Sequence, residues 1–171
     1  MPQLTAFILG ATGETGKELL HVLAANQSIS KLVLIGRRNQ ELDENKFKNV
    51  DQRVIDFDKI EEFSESFKGF DVGYCCLGTT KGKSGKEGFI KVDHDYVVGA
   101  AKLAKEGGCK HFHLVSSNGS NKDSWFLYPK TKGQAEHDIE KLEFDRLSIY
   151  RPALLICERK VTNFFNCSSL K

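Results

Sequence analysis

A short apolar run, a glycine turn and a helix start follow one another at the amino end. Leu4-Thr5-Ala6-Phe7-Ile8-Leu9 leads into Gly10-Ala11-Thr12-Gly13-Glu14-Thr15-Gly16, and then into Lys17-Glu18-Leu19-Leu20. A run this apolar reads as a strand buried on both faces of a parallel sheet. Gly10 allows a tight turn, Gly13 lets a ligand meet the backbone, and Gly16 lets the helix pack close to the strand. The free N–H groups and dipole of the helix start attract an anion. The spacing is GxxGxxG rather than GxGxxG. Its place after a strand and before a helix points to a dinucleotide pyrophosphate.

The rest of the chain repeats the strand–helix alternation. Strands are expected near Leu4–Leu9, Leu32–Ile35, Gln52–Ile55, Val72–Cys76, His111–Val115 and Leu147–Tyr150. Helices are expected near Glu14–Ala25, Lys59–Phe67, Gly88–Glu106 and Phe126–Lys141. Gly107-Gly108 ends the third helix as a C-cap would. The pattern predicts an α/β fold, a Rossmann-like doubly wound parallel sheet of about six strands with right-handed crossovers. With 171 residues, one domain is expected, over 1–157, followed by a short tail, 158–171, without a substrate-covering region.

Net charge is +2, too small to argue for nucleic acid or a membrane surface. No apolar run is long enough to span a bilayer, and no signal peptide is evident before the first strand. The five cysteines form no CxxC and read as small buried hydrophobes of a reducing compartment. Cytosolic location with nuclear access is the expectation. The histidines show no metal-ligand spacing. Two phosphate-loop lookalikes, Gly78 to Ser84 and Gly10 to Lys17, miss the GxxxxGK[ST] spacing. Lys81, Lys83 and Lys86 are read as a mobile basic loop near the site.

The second strand ends in Ile35-Gly36-Arg37-Arg38. An acidic residue there favours NAD, whereas arginine accommodates the 2′-phosphate of NADP. Guanidinium is planar, permanently charged and suited to phosphate, so the reading is NADP on Arg37 and Arg38. Asp56, after the third strand, could accept from an adenine amino group or cap the next helix. The fourth strand ends in Cys75-Cys76-Leu77-Gly78-Thr79-Thr80, where Gly78 would admit a ligand at the strand's carboxyl end. Tyr128 and Lys132 stand i and i+4 and so share a helix face. An ammonium beside a phenol favours the phenolate, which suits a proton donor to a carbonyl that receives hydride. Ser117, or less favourably Ser116, would bond the substrate oxygen, unless these serines serve the turn.

With the Asp71–Thr80, Gly88–Tyr96 and Leu103–His111 segments and Arg151-Pro152, these motifs make the chain resemble the atypical short-chain dehydrogenase/reductases over residues 4–157. The resemblance implies NADPH held at Gly10, Thr12, Gly13, Glu14, Thr15 and Gly16, with the 2′-phosphate on Arg37 and Arg38. It implies further contacts from Leu77, Gly78 and Leu155, with Lys132 on the ribose. It implies Tyr128 as proton donor and acceptor. It also implies NADPH-dependent regulators that bind nuclear transport receptors and modulate apoptosis and transcription, a tumour-suppressing role. Family members continue for several elements past the sixth strand, so catalysis is expected to suffer more than cofactor binding in a chain shortened there.

Overall fold

Strand β1 (Leu4–Leu9) is the hub of the molecule. In this computed structural model, which describes residues 3–79, 81–153 and 155, six parallel strands form one sheet in the order β3-β2-β1-β4-β5-β6. The others are β2 (Ile29–Gly36), β3 (Val50–Val54), β4 (Val72–Cys75), β5 (His111–Val115) and β6 (Arg146–Tyr150). Chain order reverses between β1 and β4, the switch point at which such sheets open a crevice.

Alternation along β1 feeds two cores. Phe7 and Leu9 join Val33, Ile35, Cys75, Phe112 and Leu114 on one face. There α3 (Tyr96–Glu106), α4 (Leu127–Glu140) and the 3-10 helical stretch Phe57–Phe67 cover them. Ala6 and Ile8 join Leu32, Leu34 and Val72 on the other face, under Leu20 and Leu23 of α1 (Glu14–Ala24). On that second face His113 of β5 stacks on Tyr74 of β4 at 4.6 Å and on Tyr150 of β6 at 6.0 Å.

Three expectations change in detail. The region read as a mobile basic loop is helical: α2 spans Lys81–Ile90, broken at Gly85, whose φ is +71°. The glycine-rich composition, with Gly82, Gly85 and Gly88, hid the helix. The single helix expected over Gly88–Glu106 is the end of α2, a π-helical turn at Lys91–Asp95, and α3. Lys59 and Phe63 break the helical geometry of the segment after β3. The Gly107-Gly108 C-cap takes Schellman form: Cys109 N–H reaches Ala104 O at 2.9 Å and Gly108 N–H reaches Lys105 O at 3.1 Å. The proposed tail from residue 158 onward, with Cys157 and Cys167, lies outside the described residues, as does Thr80.

Candidate nucleotide crevice

The glycine turn bends hard because the end of β4 lies against it. Gly10 sits at φ +78°, and a Cβ there would stand 2.6 Å from the Cys76 carbonyl group. Only glycine meets both demands. Gly16, buried in the first turn of α1, would bring a Cβ to 2.2 Å from Gly10 O. Gly13 N–H closes the turn on Gly10 O at 3.0 Å. Gly13 is the N-cap residue in extended geometry, and no side chain caps α1. A helix start without a side-chain cap leaves its N–H groups to a ligand or to water.

Around this turn opens a crevice of about 820 Å3. Gly10, Ala11, Thr12 and Gly13 line it, and beside them Cys76, Leu77, Gly78 and Thr79. Gly36, Arg37 and Arg38 form one end, with Gln40, Gln52, Phe57, Val92 and Tyr96. Gln40 and Gln52 close that end on each other: Gln52 Oε1 accepts the Gln40 N–H at 2.7 Å and its amide donates to Gln40 O at 2.9 Å. Phe57 and Tyr96 face each other at 5.2 Å. Tyr96 also donates to Asp58, which pairs with Lys91 at 2.8 Å. Those two hydrogen bonds, Lys91 first, hold the Asp58 carboxyl below its ordinary value, with a smaller contribution from the Arg37 charge. Arg37 and Arg38 are exposed, and among the described residues neither is in an ion pair.

The remaining candidates divide by position. Glu14 and Thr15 start α1 just beyond the crevice wall. Asp56 caps the stretch after β3, its Oδ1 accepting the Asp58 N–H at 2.9 Å, while its neighbour Phe57 lines the crevice. The capping role that the sequence offered for Asp56 is present in the structure. Leu155 is 40 % exposed and stands outside the lining.

Tyr128 and Lys132 both stand on α4 but live in different surroundings. Tyr128 is half-exposed and stacks on Phe89 at 5.4 Å. Lys132 is buried, and its ammonium pairs with Asp93 Oδ1 at 2.8 Å. Ser117 is half-buried, its hydroxyl donating to Asn118 O at 3.3 Å. Ser116 is committed elsewhere: it donates to buried Glu136, which also takes a two-pronged contact from Arg151 at 3.1 and 2.7 Å. Burial pushes the Glu136 carboxyl up, but the Arg151 and Ser116 hydrogen bonds and the Arg151 charge win and hold it low. Cys76 at the crevice is no ready nucleophile, since burial pushes its thiol up to about 11.

Sequence reasoning missed Asp93, Gln52 and Tyr96. Their spacing carries no motif, because each acts through a partner distant in the chain. Among the described residues no group of His, Cys, Asp and Glu could hold a metal ion, and no helix is long and apolar enough to cross a membrane.

Comparison with known proteins agrees with this geometry. A family profile described as NAD(P)H-binding matches residues 10–163. The rat protein HTATIP2 is 52% identical over 160 residues, 94% of this chain and 66% of that protein. "Protein FMP52, mitochondrial" of Candida albicans is 40% identical over 159 residues, 92% of this chain and 69% of that protein. The chain thus spans about two thirds of the length of these relatives. A putative NAD-dependent epimerase/dehydratase from Bacillus halodurans has a TM-score of 0.71 at 22% identity, over 88% of this chain and 70% of its own. A UDP-glucuronic acid 4-epimerase from Bacillus cereus, solved in complex with NAD, has a TM-score of 0.68 at 15% identity, over 88% and 57%. At these identities the solved structures speak for the fold alone.

Proposed function

We propose, from the premise that this chain belongs to the NAD(P)H-binding family, that its ligand is NADPH, laid across the crevice between β1 and β4. The diphosphate sits on the start of α1, where Gly13 leaves the first turn without a side-chain cap. The adenosine 2′-phosphate sits between Arg37 and Arg38. The nicotinamide ribose runs along Leu77 and Gly78 toward Lys132. The single observation that carries this reading is the pair of arginines after β2, which line the crevice and, among the described residues, stand in no ion pair. An NAD-selective site would carry a carboxylate there, which repels the extra phosphate.

Calorimetry with both coenzymes tests the proposal. Wild-type protein prefers NADPH over NADH; Arg37→Ala and Arg38→Ala each weaken NADPH by about tenfold, the scale of a lost charge-assisted phosphate contact, and leave NADH nearly unchanged. Equal affinities for the two coenzymes in wild type would overturn it.

When bound, the coenzyme supplies hydride to a carbonyl substrate. The chain's own part is to deliver the proton from the Tyr128 hydroxyl to the carbonyl oxygen, with Ser117 as a second hydrogen-bond donor. We infer, however, that occupancy matters more than turnover. Lys132 is engaged by Asp93, and Tyr128 stacks half-exposed on Phe89, so the acid and its tuner are not joined in advance. Trp125 is fully exposed and Phe126 is 78% exposed, just ahead of Tyr128. This favours a redox-sensing regulator that offers an aromatic edge to protein partners, nuclear transport receptors among them, in the cytosol and nucleus. A pull-down with NADPH-loaded and empty protein decides: partner recovery that changes with loading supports regulation, and equal recovery ends it.

A further inference from the structure

Asp93 is the most deeply buried charged residue described, at 1% exposure, on the π-helical turn Lys91–Asp95. Such a turn re-aims side chains that a plain helix would point elsewhere. Its two oxygens serve two partners. Oδ1 meets Lys132 Nζ at 2.8 Å, and Oδ2 accepts the Thr79 N–H at 2.8 Å. The pair lies directly behind Gly78: a methyl group there would stand 3.4 Å from Asp93 Oδ1 and 3.8 Å from Lys132 Nζ. Gly78 is exposed at the crevice wall and has no side chain to screen the pair.

We propose that Asp93 is the positioning residue for Lys132. It holds the ammonium behind Gly78, ties it to the backbone of the crevice wall, and compensates its charge. The inference rests on the reading of the crevice as a dinucleotide site. In it, Lys132 meets the coenzyme as a hydrogen-bond donor within a neutral pair, not as a bare cation. Among the described residues, Asp93 is the one carboxylate paired with the ammonium. His94, next in sequence, turns to Asp95 at 2.8 Å and Asp138 at 3.1 Å. Cys75 lies close to both members of the pair, but burial pushes its thiol up to about 12, so it stays neutral. Gly78 and Thr79 bring no charge.

Asp93→Asn is the informative change. It keeps an acceptor for the Thr79 N–H and removes the charge and the acceptor that face Lys132. The uncompensated ammonium then tightens NADPH by about fivefold at low salt, and the gain fades as salt screens it. The same change lowers the melting temperature by about 5 °C, because one partner of a buried pair is left alone. Both effects disappear when Asp93→Asn is made on a Lys132→Met background. If Asp93→Asn alone does not fold, recovery of folding in the double variant supports the proposal, and failure to recover overturns it. Asp93→Asn that matches wild type in affinity and salt response, or that acts equally with and without Lys132, also overturns it. Wild type that takes up no NADPH ends the coenzyme reading instead. The thermal cycle, which needs no ligand, then decides for Asp93: coupled losses support it and additive losses overturn it.

Discussion

Tyr128 and Lys132 show what a residue pair owes to its surroundings. An i, i+4 spacing brings two side chains to one face, but burial separates their tasks. Lys132 is shut in with Asp93, while nearly half of Tyr128 meets solvent. If the phenol donates the proton, Tyr128→Phe lowers any carbonyl turnover by at least about a hundredfold, the scale of general acid catalysis. NADPH affinity stays within about twofold, since in the proposed site the hydroxyl would take no part in holding the diphosphate or the 2′-phosphate. Single-turnover hydride transfer and equilibrium binding, measured on the same preparation, check both halves.

At the scale of elements, β1, its turn and α1 fit closely enough to exclude a methyl group. A Cβ on Gly16 meets Gly10 O at 2.2 Å, and that oxygen is backbone, which cannot swing aside. Gly16→Ala therefore has to push α1 off the sheet. A loss of about 3 kcal/mol in denaturant unfolding is expected. NADPH binding falls with it, because the helix start that would face the diphosphate moves. The elements themselves were well marked in the sequence. β1 and β5 begin and end where the apolar runs do. α2 was not, because Gly82, Gly85 and Gly88 carry a loop composition and Gly85 does break the helix. The π-helical turn left no sequence mark, since one extra residue in a helix changes packing and not composition.

Across the whole molecule, the carboxyl ends of β5 and β6 are stapled together by Glu136 of α4. Ser116 follows β5, Arg151 follows β6, and both bond this one buried carboxylate. Ser116 N–H also meets Tyr150 O at 2.7 Å, and Asn118 N–H meets Pro152 O at 2.9 Å. Because the folded Glu136 carboxyl titrates below its ordinary value, its contribution is complete above the usual glutamate range. It is lost as pH falls through the lower folded value. Arg151→Ala removes the main partner and leaves a buried carboxylate. The expected cost at neutral pH is about 2 kcal/mol, toward the lower side for a buried pair because half of the arginine side chain meets solvent. The acid limb of the stability profile flattens in the same variant. Denaturant unfolding followed from neutral pH to pH 3 reads both effects.

The amino-acid sequence alone determined the alternation of strands and helices, the glycine turn and the two arginines after β2. These are local signals, set by apolar period, backbone freedom at Gly10 and the chemistry of a strand end. Tertiary structure alone decided which candidates share a crevice. It drew Gln52, Phe57 and Tyr96 into the crevice with the arginines, set Asp56 as a helix cap beside it, and paired Lys132 with Asp93. The physical reason is that ion pairs and caps are contests among neighbours. Their outcome depends on which groups lose water together, and that is settled only when distant segments close on one another.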